Sequence, residues 1–464
     1  MRRITPRHVV TAAAVLATVA AGTALTISAN AGTGGSDAGQ AAADDTPRIS
    51  AAMRAALKRD LGLTDAQLDA RLAREAWAAT TARALRQTLG TGYAGAWLTG
   101  GQQLNVAVSE RSLADKVRAA GAEPKVVARS AGQLSRVMQA LDQRAANAPS
   151  AVTGWYVDPA TNTVVVEATR ASAARSFVRN ARLNAGAVRV ETVRAAPALL
   201  AGPHKPAPTP PEDTEAPPPG EEETPPPAEE ETPPPAEESE APEQTEPPAT
   251  EEPADPNAQQ IRGGAPYIIE EQARCSVGFA VEGGFVSAGH CGNAGDAVAV
   301  QDGQELIPLG NFQESSFPEN DFSFVATNAD FTPVGEVNDF GGEGAGADDL
   351  GAALPVAGAE EAVVGTAVCK FGSTTGASCG EVQALDVTVN FQDPADGQGT
   401  VEVNGLIGTN VCAEPGDSGG SLLAGDQAQG VVSGGSGDCT VGGETFFQPV
   451  NEILETLNLT LLTA

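Results

Sequence analysis

Histidine is scarce in this chain of 464 residues, which contains only His8, His204 and His290. A zinc site needs several histidine and cysteine ligands close together. Neither the single histidine of the last 260 residues nor the spacing of the six cysteines offers such a cluster. The sequence therefore predicts no metal and no cofactor. All six cysteines lie after residue 274, and an even number of cysteines in an exported chain indicates disulfides.

Lysine and arginine are nearly absent from residues 261–464, which contain 3 of them against 29 aspartates and glutamates, a net charge of −26. The three basic residues are Arg262, Arg274 and Lys370. So acidic a surface repels nucleic acids and favours solubility at high salt. The composition therefore argues against a nucleic-acid partner.

Long apolar runs are absent beyond the N-terminal segment. There, three arginines precede a weakly apolar, Ala- and Thr-rich run at 9–27, and the small residues Ala-Asn-Ala follow at 29–31. This pattern predicts a secretory signal peptide at 1–31, and the weak hydropathy of the run disfavours a permanent membrane anchor. We therefore expect a secreted protein without a stable membrane anchor, with a flexible segment at 32–48.

Residues 49–200 and 203–258 form two zones of different composition. The first contains 20 basic and 11 acidic residues, a net charge of +9. Helical spacing of apolar residues after Thr64, and two strand-like runs joined by a turn at Asp158-Pro159, predict a small α+β domain. The second contains nineteen prolines and seventeen acidic residues, with the octapeptide EEETPPPA in tandem at 221–228 and 229–236. That composition predicts a disordered, partly polyproline II linker.

Residues 261–464 show the pattern of a β protein. Short apolar runs such as "TAVCKFG" and "VTVNFQ" recur between Gly- and Asp-rich turns, and helical periodicity appears only at the end, in "QPVNEILETL". The pattern predicts an all-β barrel or sandwich that is closed by one C-terminal helix.

A serine among glycines is the candidate partner of the lone histidine. In "AEPGDSGGSLL", Ser418 lies between Gly416 and two further glycines. Glycines permit the tight turn that exposes a hydroxyl, and the amides of Gly416 and Ser418 can form an oxyanion hole. A serine nucleophile needs a base, which His290 supplies, and the imidazole needs a carboxylate to hold its tautomer. Asp321 in "ENDFSFVATN" is the candidate carboxylate, and Asp330 is the alternative.

Five segments together resemble one protein group: "FVSAGHC", "NDFSFV", "VCKFGSTTG", "VCAEPGDSGGSLL" and "SGGSGDC…GGETFFQPVNEIL". They resemble the bacterial chymotrypsin-like serine proteases of the streptogrisin and alpha-lytic protease group, over essentially all of 261–464. The resemblance implies a double six-stranded β-barrel with a C-terminal helix, and a serine endopeptidase whose triad is Ser418, His290 and Asp321. Residues 49–200 resemble that group's pro-region more weakly, which implies a folding assistant and inhibitor made as part of a zymogen. The long linker is a departure from the group.

The resemblance also implies how the cysteines and Asp417 are paired. Of fifteen connectivities that six cysteines allow, it selects three disulfides: Cys275–Cys291, Cys369–Cys379 and Cys412–Cys439. Members of the group pair the aspartate before the serine with an arginine on a hairpin. Lys370 occupies the matching position here, so we expect an ion pair between Lys370 and Asp417, although lysine cannot offer the two-pronged contact of arginine.

The strand "VVSGGSG" resembles the substrate-binding strand of the group. The resemblance implies that Ser433 and Gly435 offer backbone hydrogen bonds to an extended peptide, and that Gly434 and Gly435 leave the specificity pocket open. Val432 stands where glutamate-specific relatives carry a histidine. We therefore expect cleavage after a large apolar P1 residue such as Phe, Tyr or Leu.

The expected partners are peptide or protein substrates and the chain's own domain at 49–200, because its charge is opposite to that of the protease. Otherwise we expect a monomer. The resemblance places the mature N-terminus at Ile261, after cleavage at Gln260–Ile261. Three alternatives stay open: a catalytically idle relative that binds peptides, an esterase with the same triad, and an independent cell-surface binding role for 49–200.

Overall fold

The computed structural model describes residues 49–200, 202–203, 259–340, 352–392 and 399–464. The predicted signal peptide at 1–31, the flexible segment at 32–48 and nearly all of the predicted linker lie outside these residues. The predicted fold class is confirmed: a β domain with a C-terminal helix, the predicted protease domain, follows an α+β domain. No helix within the described ranges is both long and apolar enough to cross a membrane.

The N-terminal domain repeats one order of elements, helix-strand-strand-helix-strand, after a first helix. Each half forms a three-stranded sheet in which the first two strands are antiparallel and the last two are parallel. The elements are α1 Ala51–Leu61, α2 Asp65–Leu89, β1 Tyr93–Thr99, β2 Gln103–Val108, α3 Ala114–Ala119, β3 Glu123–Val126, α4 Ala131–Asp142, β4 Val152–Asp158, β5 Thr163–Ala168, α5 Ala171–Asn180 and β6 Val188–Thr192.

Local sequence signals fix the ends of these elements. Thr64 caps α2, with its hydroxyl accepting from the Gln67 amide while the Gln67 side chain accepts from the Thr64 amide, a capping box that satisfies two amides. Gly62 ends α1 in the left-handed region, with φ 66°. The predicted turn at Asp158-Pro159 joins β4 to β5, and the Asp158 carboxylate accepts from the Ala160 amide.

The chain then forms two very short strands, β7 Ala198–Leu199 and β8 Gly202–Pro203, on either side of residue 201. The elements of the protease domain are β9 Gln259–Gly263, β10 Pro266–Ile269, β11 Ala273–Ser276, β12 Phe279–Val281, β13 Gly284–Ser287, β14 Ala297–Asp302, β15 Glu305–Ser316, β16 Phe322–Thr327, β17 Phe331–Asn338, β18 Ala353–Pro355, β19 Ala367–Gly372, β20 Gly376–Gln392, β21 Thr400–Thr409, β22 Ser421–Ala424, β23 Gln427–Asp438, β24 Gly442–Pro449 and α6 Val450–Leu457.

Two large sheets build the protease domain. The first has the order β12-β13-β16-β15-β14-β10-β11 and carries β8 on its outer edge. The second has the order β19-β22-β23-β24-β21-β20, and β19 also pairs with β20, so these six strands close into a barrel. The predicted six strands are thus found in the second sheet, while the first contains seven strands of the protease.

The two domains share a sheet and an apolar core. Strand β4 pairs with β20 of the protease, with Trp155 opposite Thr388 and Gly154 opposite Val389. The ladder of the protease barrel therefore continues into the second sheet of the N-terminal domain. Helices α1 and α2 add side chains, including Met53 and Leu57, to a buried cluster that the protease completes. Burial of such apolar area is the main source of stability at an intimate interface.

Candidate active site

The structure brings His290, Asp321 and Ser418 together. His290 lies in a short turn after β13, Asp321 directly precedes β16, and Ser418 lies between β21 and β22. His290 Nδ1 is 2.8 Å from Asp321 Oδ2, and His290 Nε2 is 2.8 Å from Ser418 Oγ. This is the geometry in which a carboxylate orients an imidazole and the imidazole accepts the proton of a serine nucleophile.

Asp321 is held by contacts that sequence reasoning missed. Its Oδ1 accepts from the His290 amide at 2.8 Å, and its own amide donates to Gln448 Oε1 at 2.8 Å. The Ser433 hydroxyl donates to Asp321 Oδ2 at 2.5 Å. The carboxylate is fully buried, so these donors take the place of water around it. Asp330, the alternative acid, lies between β16 and β17, outside this arrangement.

The loop around Ser418 needs glycine. Gly416 has φ +101° and Gly419 has φ +80°, which side chains rarely adopt. A Cβ atom on Gly416 would also lie 2.6 Å from Nη2 of Arg274. The Gly419 amide donates to the Val432 carbonyl at 2.8 Å, which ties the serine loop to β23.

Lys370 and Asp417 form a buried ion pair beside this loop. Lys370 Nζ is 2.9 Å from Asp417 Oδ2, and neither side chain is exposed. The other carboxylate oxygen accepts from the amides of Thr374 and Thr375, at 2.9 and 3.1 Å. Burial alone would raise the pKa of Asp417, but the Lys370 ammonium and these donated hydrogen bonds outweigh it and lower the pKa. The pair therefore holds the hairpin β19–β20 against the serine loop.

The six cysteines form three disulfides, Cys275–Cys291, Cys369–Cys379 and Cys412–Cys439, the pairs that the resemblance implied. The first joins β11 to the histidine turn, the second crosses the hairpin β19–β20, and the third joins the start of the serine loop to the end of β23. Closing loops of this size stabilises a fold by about 3 kcal/mol each in the loop-entropy account.

The end of the N-terminal domain lies across this site as an extended chain. Leu199 pairs with Gly434 and Ala198 with Gly435 of β23, antiparallel, and the Gln392 amide donates to the Pro197 carbonyl at 2.8 Å. The Gly416 amide donates to the carbonyl oxygen of Leu200 at 2.6 Å.

The residues expected to bind substrate surround this segment. Val432 is fully buried and belongs to the same apolar cluster as Leu200 and Ala413. A Cβ atom on Gly434 would lie 2.5 Å from the Ala198 carbonyl oxygen, so glycine there admits the backbone of the bound segment. The hydroxyl of Ser433 also donates a hydrogen bond to Asp321. The substrate-binding motif had indicated only a backbone role for Ser433. No cluster of potential metal ligands occurs in the described parts of the chain.

Comparisons with known proteins identify the families that the two domains match. Residues 66–127 match the family "Alpha-lytic protease pro N-terminal", residues 129–185 match "Alpha-lytic protease prodomain" and residues 257–457 match "Trypsin". Streptogrisin-C of Streptomyces griseus is 37% identical over 457 residues, which cover 97% of this chain and 83% of that protein. Serine protease 1 of Streptomyces fradiae is 31% identical over 376 residues, 80% of this chain and 83% of that protein. The crystal structure of Cellulomonas bogoriensis chymotrypsin is 48% identical and covers 44% of this chain and 100% of that chain, with a TM-score of 0.38.

The molecule is therefore a serine endopeptidase of the trypsin class, preceded by a pro-domain. Within that class, the chain belongs to the streptogrisin and alpha-lytic protease family. The predicted family, enzyme class and two-domain fold are confirmed.

Proposed function

We propose that the chain is made as a secreted zymogen that cleaves peptide bonds after large apolar residues, with Ser418, His290 and Asp321 as its catalytic triad. One observation carries the proposal. The Leu200 carbonyl oxygen accepts from the Gly416 amide, while Ser418 Oγ is hydrogen-bonded to His290 Nε2. The segment before Leu200 thus occupies the place of a substrate, with Leu200 as the P1 residue.

The reaction follows from these positions. Ser418 Oγ attacks the carbonyl carbon of the P1 residue as His290 Nε2 accepts the hydroxyl proton, and Asp321 stabilises the imidazolium. The Gly416 and Ser418 amides hold the negative oxygen of the tetrahedral intermediate, a contribution of about 3–4 kcal/mol for a critical donor. The C–N bond then breaks, with His290 returning the proton to the leaving amine. Water, activated by His290, hydrolyses the acyl-enzyme.

The preference for an apolar P1 residue is supported by the surroundings of Leu200. The side chain is 8% exposed and lies in an apolar cluster with Ala413 and Val432. One relative, Glutamyl endopeptidase 2 of Streptomyces griseus, is 36% identical over 193 residues, 41% of this chain and 93% of that protein. Its name states a preference for glutamate. In this chain His290 is the sole histidine of 261–464, so no histidine remains to bind an acidic P1 side chain.

We propose that the first maturation cut falls at Leu200–Ala201 rather than at Gln260–Ile261. The latter bond lies inside β9, whose residues Gln260 and Ile261 pair with Thr332 and Pro333 of β17. A bond within a paired strand is a poor protease substrate because the strand must first separate. A cut after Leu200 leaves the predicted linker on the protease and leaves a new carboxyl terminus in the cleft, where the pro-domain continues to inhibit.

The triad is tested by replacing Ser418, His290 and Asp321 singly and together. Ser418→Ala and His290→Ala should each lower kcat for an internally quenched Leu-P1 peptide by about 10⁴-fold or more, and the double variant should lose little further because the triad acts as a unit. Labelling of Ser418 by a fluorophosphonate separates an active enzyme from an idle relative. Unchanged activity in Asp321→Asn, with the fold intact, would move the carboxylate role to another acid.

The cut is tested by matched variants of the two junctions. Leu200→Asp should slow self-cleavage of the full chain by about 100-fold, because the apolar pocket loses a buried leucine and receives a charge. Gln260→Asp makes the same kind of change at the other junction and should leave the first cut unaffected. Mass and N-terminal sequence of the products give the position. A first product that begins at Ile261 would refute the assignment.

A further inference from the structure

The chain beyond Leu200 marks where the leaving side of a substrate binds. Strand β8 pairs with β11 of the protease, antiparallel, with Gly202 opposite Arg274 and Pro203 opposite Ala273. The proposed function places the bond Leu200–Ala201 at Ser418, between β7 and β8. Gly202 is the second residue after that bond and therefore occupies the P2′ position. Strand β11 is therefore the edge that receives the P2′ and P3′ residues.

Arg274 differs from the other two cations of the acidic domain. Lys370 is buried against Asp417, and Arg262 Nε is 2.8 Å from Glu336 Oε2. The guanidinium of Arg274 instead donates to the neutral Thr374 hydroxyl, at 2.5 Å. No carboxylate of the described residues lies within ion-pair distance of it.

The guanidinium of Arg274 also lies at the cleft. A Cβ atom on Gly416 would approach its Nη2 to 2.6 Å, which places the positive charge against the loop that holds the substrate carbonyl. Residues directly opposite in an antiparallel pair project to the same face, with Cβ atoms about 4.5–5.5 Å apart. The P2′ residue of a substrate is therefore a cross-strand neighbour of Arg274. In the chain's own segment this residue is Gly202, which carries no side chain to meet the charge.

We propose that Arg274 makes the protease prefer peptides with an acidic residue at P2′. The inference rests on the proposed function, which sets the direction of the bound chain. An opposite-charge cross-strand pair is favourable and a like-charge pair unfavourable by similar amounts. Glutamate at P2′ gains this pair, whereas lysine at P2′ faces a like charge at the same distance.

The test uses protease matured from the full chain and internally quenched peptides with Leu at P1 and Glu, Gln, Gly or Lys at P2′. At 0.15 M salt, kcat/KM should be about threefold higher for Glu than for Gln, and about tenfold higher for Glu than for Lys. In Arg274→Gln the Glu-to-Lys ratio should fall to about one or below, and Arg274→Lys should retain part of it. Salt at 1 M should reduce the ratio, because the pair is exposed to solvent.

Arg262→Gln is the matched control, since it removes the same charge from the same domain at a residue that is paired with Glu336 of β17. It should keep the Glu-to-Lys ratio, which excludes the overall field of the domain as the cause. A Glu-to-Lys ratio of one or less in the wild type, or a ratio that Arg274→Gln leaves unchanged, would overturn the inference. Cleavage of the Gly peptide in the same experiment would still support the proposed function. Cleavage of none of the peptides would overturn both.

Discussion

The two halves of the pro-domain repeat one order of elements but hold the protease in different ways. The first half contributes side chains of α2. Arg71 donates to Glu381 at 2.8 Å and to the Gly365 carbonyl at 3.1 Å, and Arg83 is 2.8 Å from Glu360.

The second half contributes mainly paired strands, β4 with β20 and β7 with β23, together with the Asp142 carboxylate, which accepts from the Thr388 hydroxyl at 3.1 Å. The first half adds one main-chain bond among the described residues, from the Leu98 amide to the Val364 carbonyl at 2.7 Å. One sheet motif thus supports two kinds of interface.

The comparison shows that net charge alone does not locate the contacts between the domains. The opposite charges of the pro-domain and the protease predict docking, and two cross-domain ion pairs occur on α2. Strands β4 and β7, however, use hydrogen bonds that any sequence can make. Opposite net charge favours the encounter of the two domains. Buried ion pairs and the register of the paired strands determine which residues are in contact.

Breaking the side-chain contacts should have the largest effect. Arg71 is buried, and it also donates to Glu75, whose carboxylate accepts from the Ala367 amide of the protease at 2.9 Å. Arg71→Met leaves two carboxylates without their cation, a loss of about 3–5 kcal/mol when a buried pair is broken. The inhibition constant of separately expressed 49–200 against the protease should rise by about 10²–10³-fold.

Arg83→Met is the control for this prediction, because the same substitution on the same helix removes an exposed pair, with Arg83 61% exposed. An exposed pair contributes about 0.2–1 kcal/mol, so the constant should rise fivefold at most, and less in high salt. Circular dichroism of each free pro-domain separates lost docking from lost folding. Equal effects of the two substitutions would remove the distinction between the buried and the exposed pair.

Breaking the main-chain contacts should have a smaller but clear effect. Gly154 faces the protease so closely that a Cβ atom would lie 2.5 Å from the Thr388 carbonyl oxygen, and all its nearest neighbours are protease atoms. Gly154→Ala should therefore spare the free pro-domain and weaken inhibition by about tenfold or more, because β4 and β20 must separate. Gly132→Ala, in α4 with no atom within 4 Å, should leave inhibition unchanged and stabilise the helix by about 1 kcal/mol. Equal inhibition by both variants would contradict the role of the strand pairing.

The sequence predicted the features that side-chain chemistry marks. Thr64 caps a helix because its hydroxyl can satisfy a free amide, and that preference is visible without a structure. Ser418 and His290 were predicted because one serine is flanked closely by three glycines and because histidine is rare in this composition. The short apolar runs between turns predicted the β domain, and the helical periodicity of the last segment predicted α6.

The features that depend on main chain or on distant partners could not be predicted. Residues 197–200 bind the protease through backbone groups. The side chains of an Ala-Leu-Leu sequence do not indicate that its backbone will pair with a distant strand. The contacts of Asp321 with Ser433 and Gln448 join residues that are 112 and 127 positions apart in the chain. The apolar face of α2 was visible as a spacing, but its partners across the domain boundary were not. One signal was available: Leu200 is an apolar residue just before the linker, and the expected pocket is apolar.

The smallest expected effect concerns pH and the second half of the pro-domain. Glu167 on β5 lies opposite Glu191 on β6. Burial raises its pKa to about 8, with contributions from Glu444 of the protease and from Glu191. Burial likewise raises the pKa of Glu444 to about 7. Tyr156 lies within reach of both carboxylates and of Asp158, and Arg189, which is paired with Asp158 and Glu191, supplies the nearby positive charge.

The sign of the pH effect follows from these shifts. In the separated domains Glu167 loses the influence of Glu444 and part of its burial, so its pKa lies closer to the ordinary value. The complex therefore holds its proton more strongly, and its affinity is full at low pH and falls as the pH rises through about 7 to 8. Glu167→Gln stays neutral, so it should inhibit like wild type at pH 5 and about tenfold more tightly at pH 8.5. Glu123→Gln, which removes an exposed carboxylate from β3 in the first half, should follow the wild-type curve. Because all three proteins share the same protease, the difference between the curves isolates Glu167. Parallel curves would show that its ionisation plays no part in release of the pro-domain.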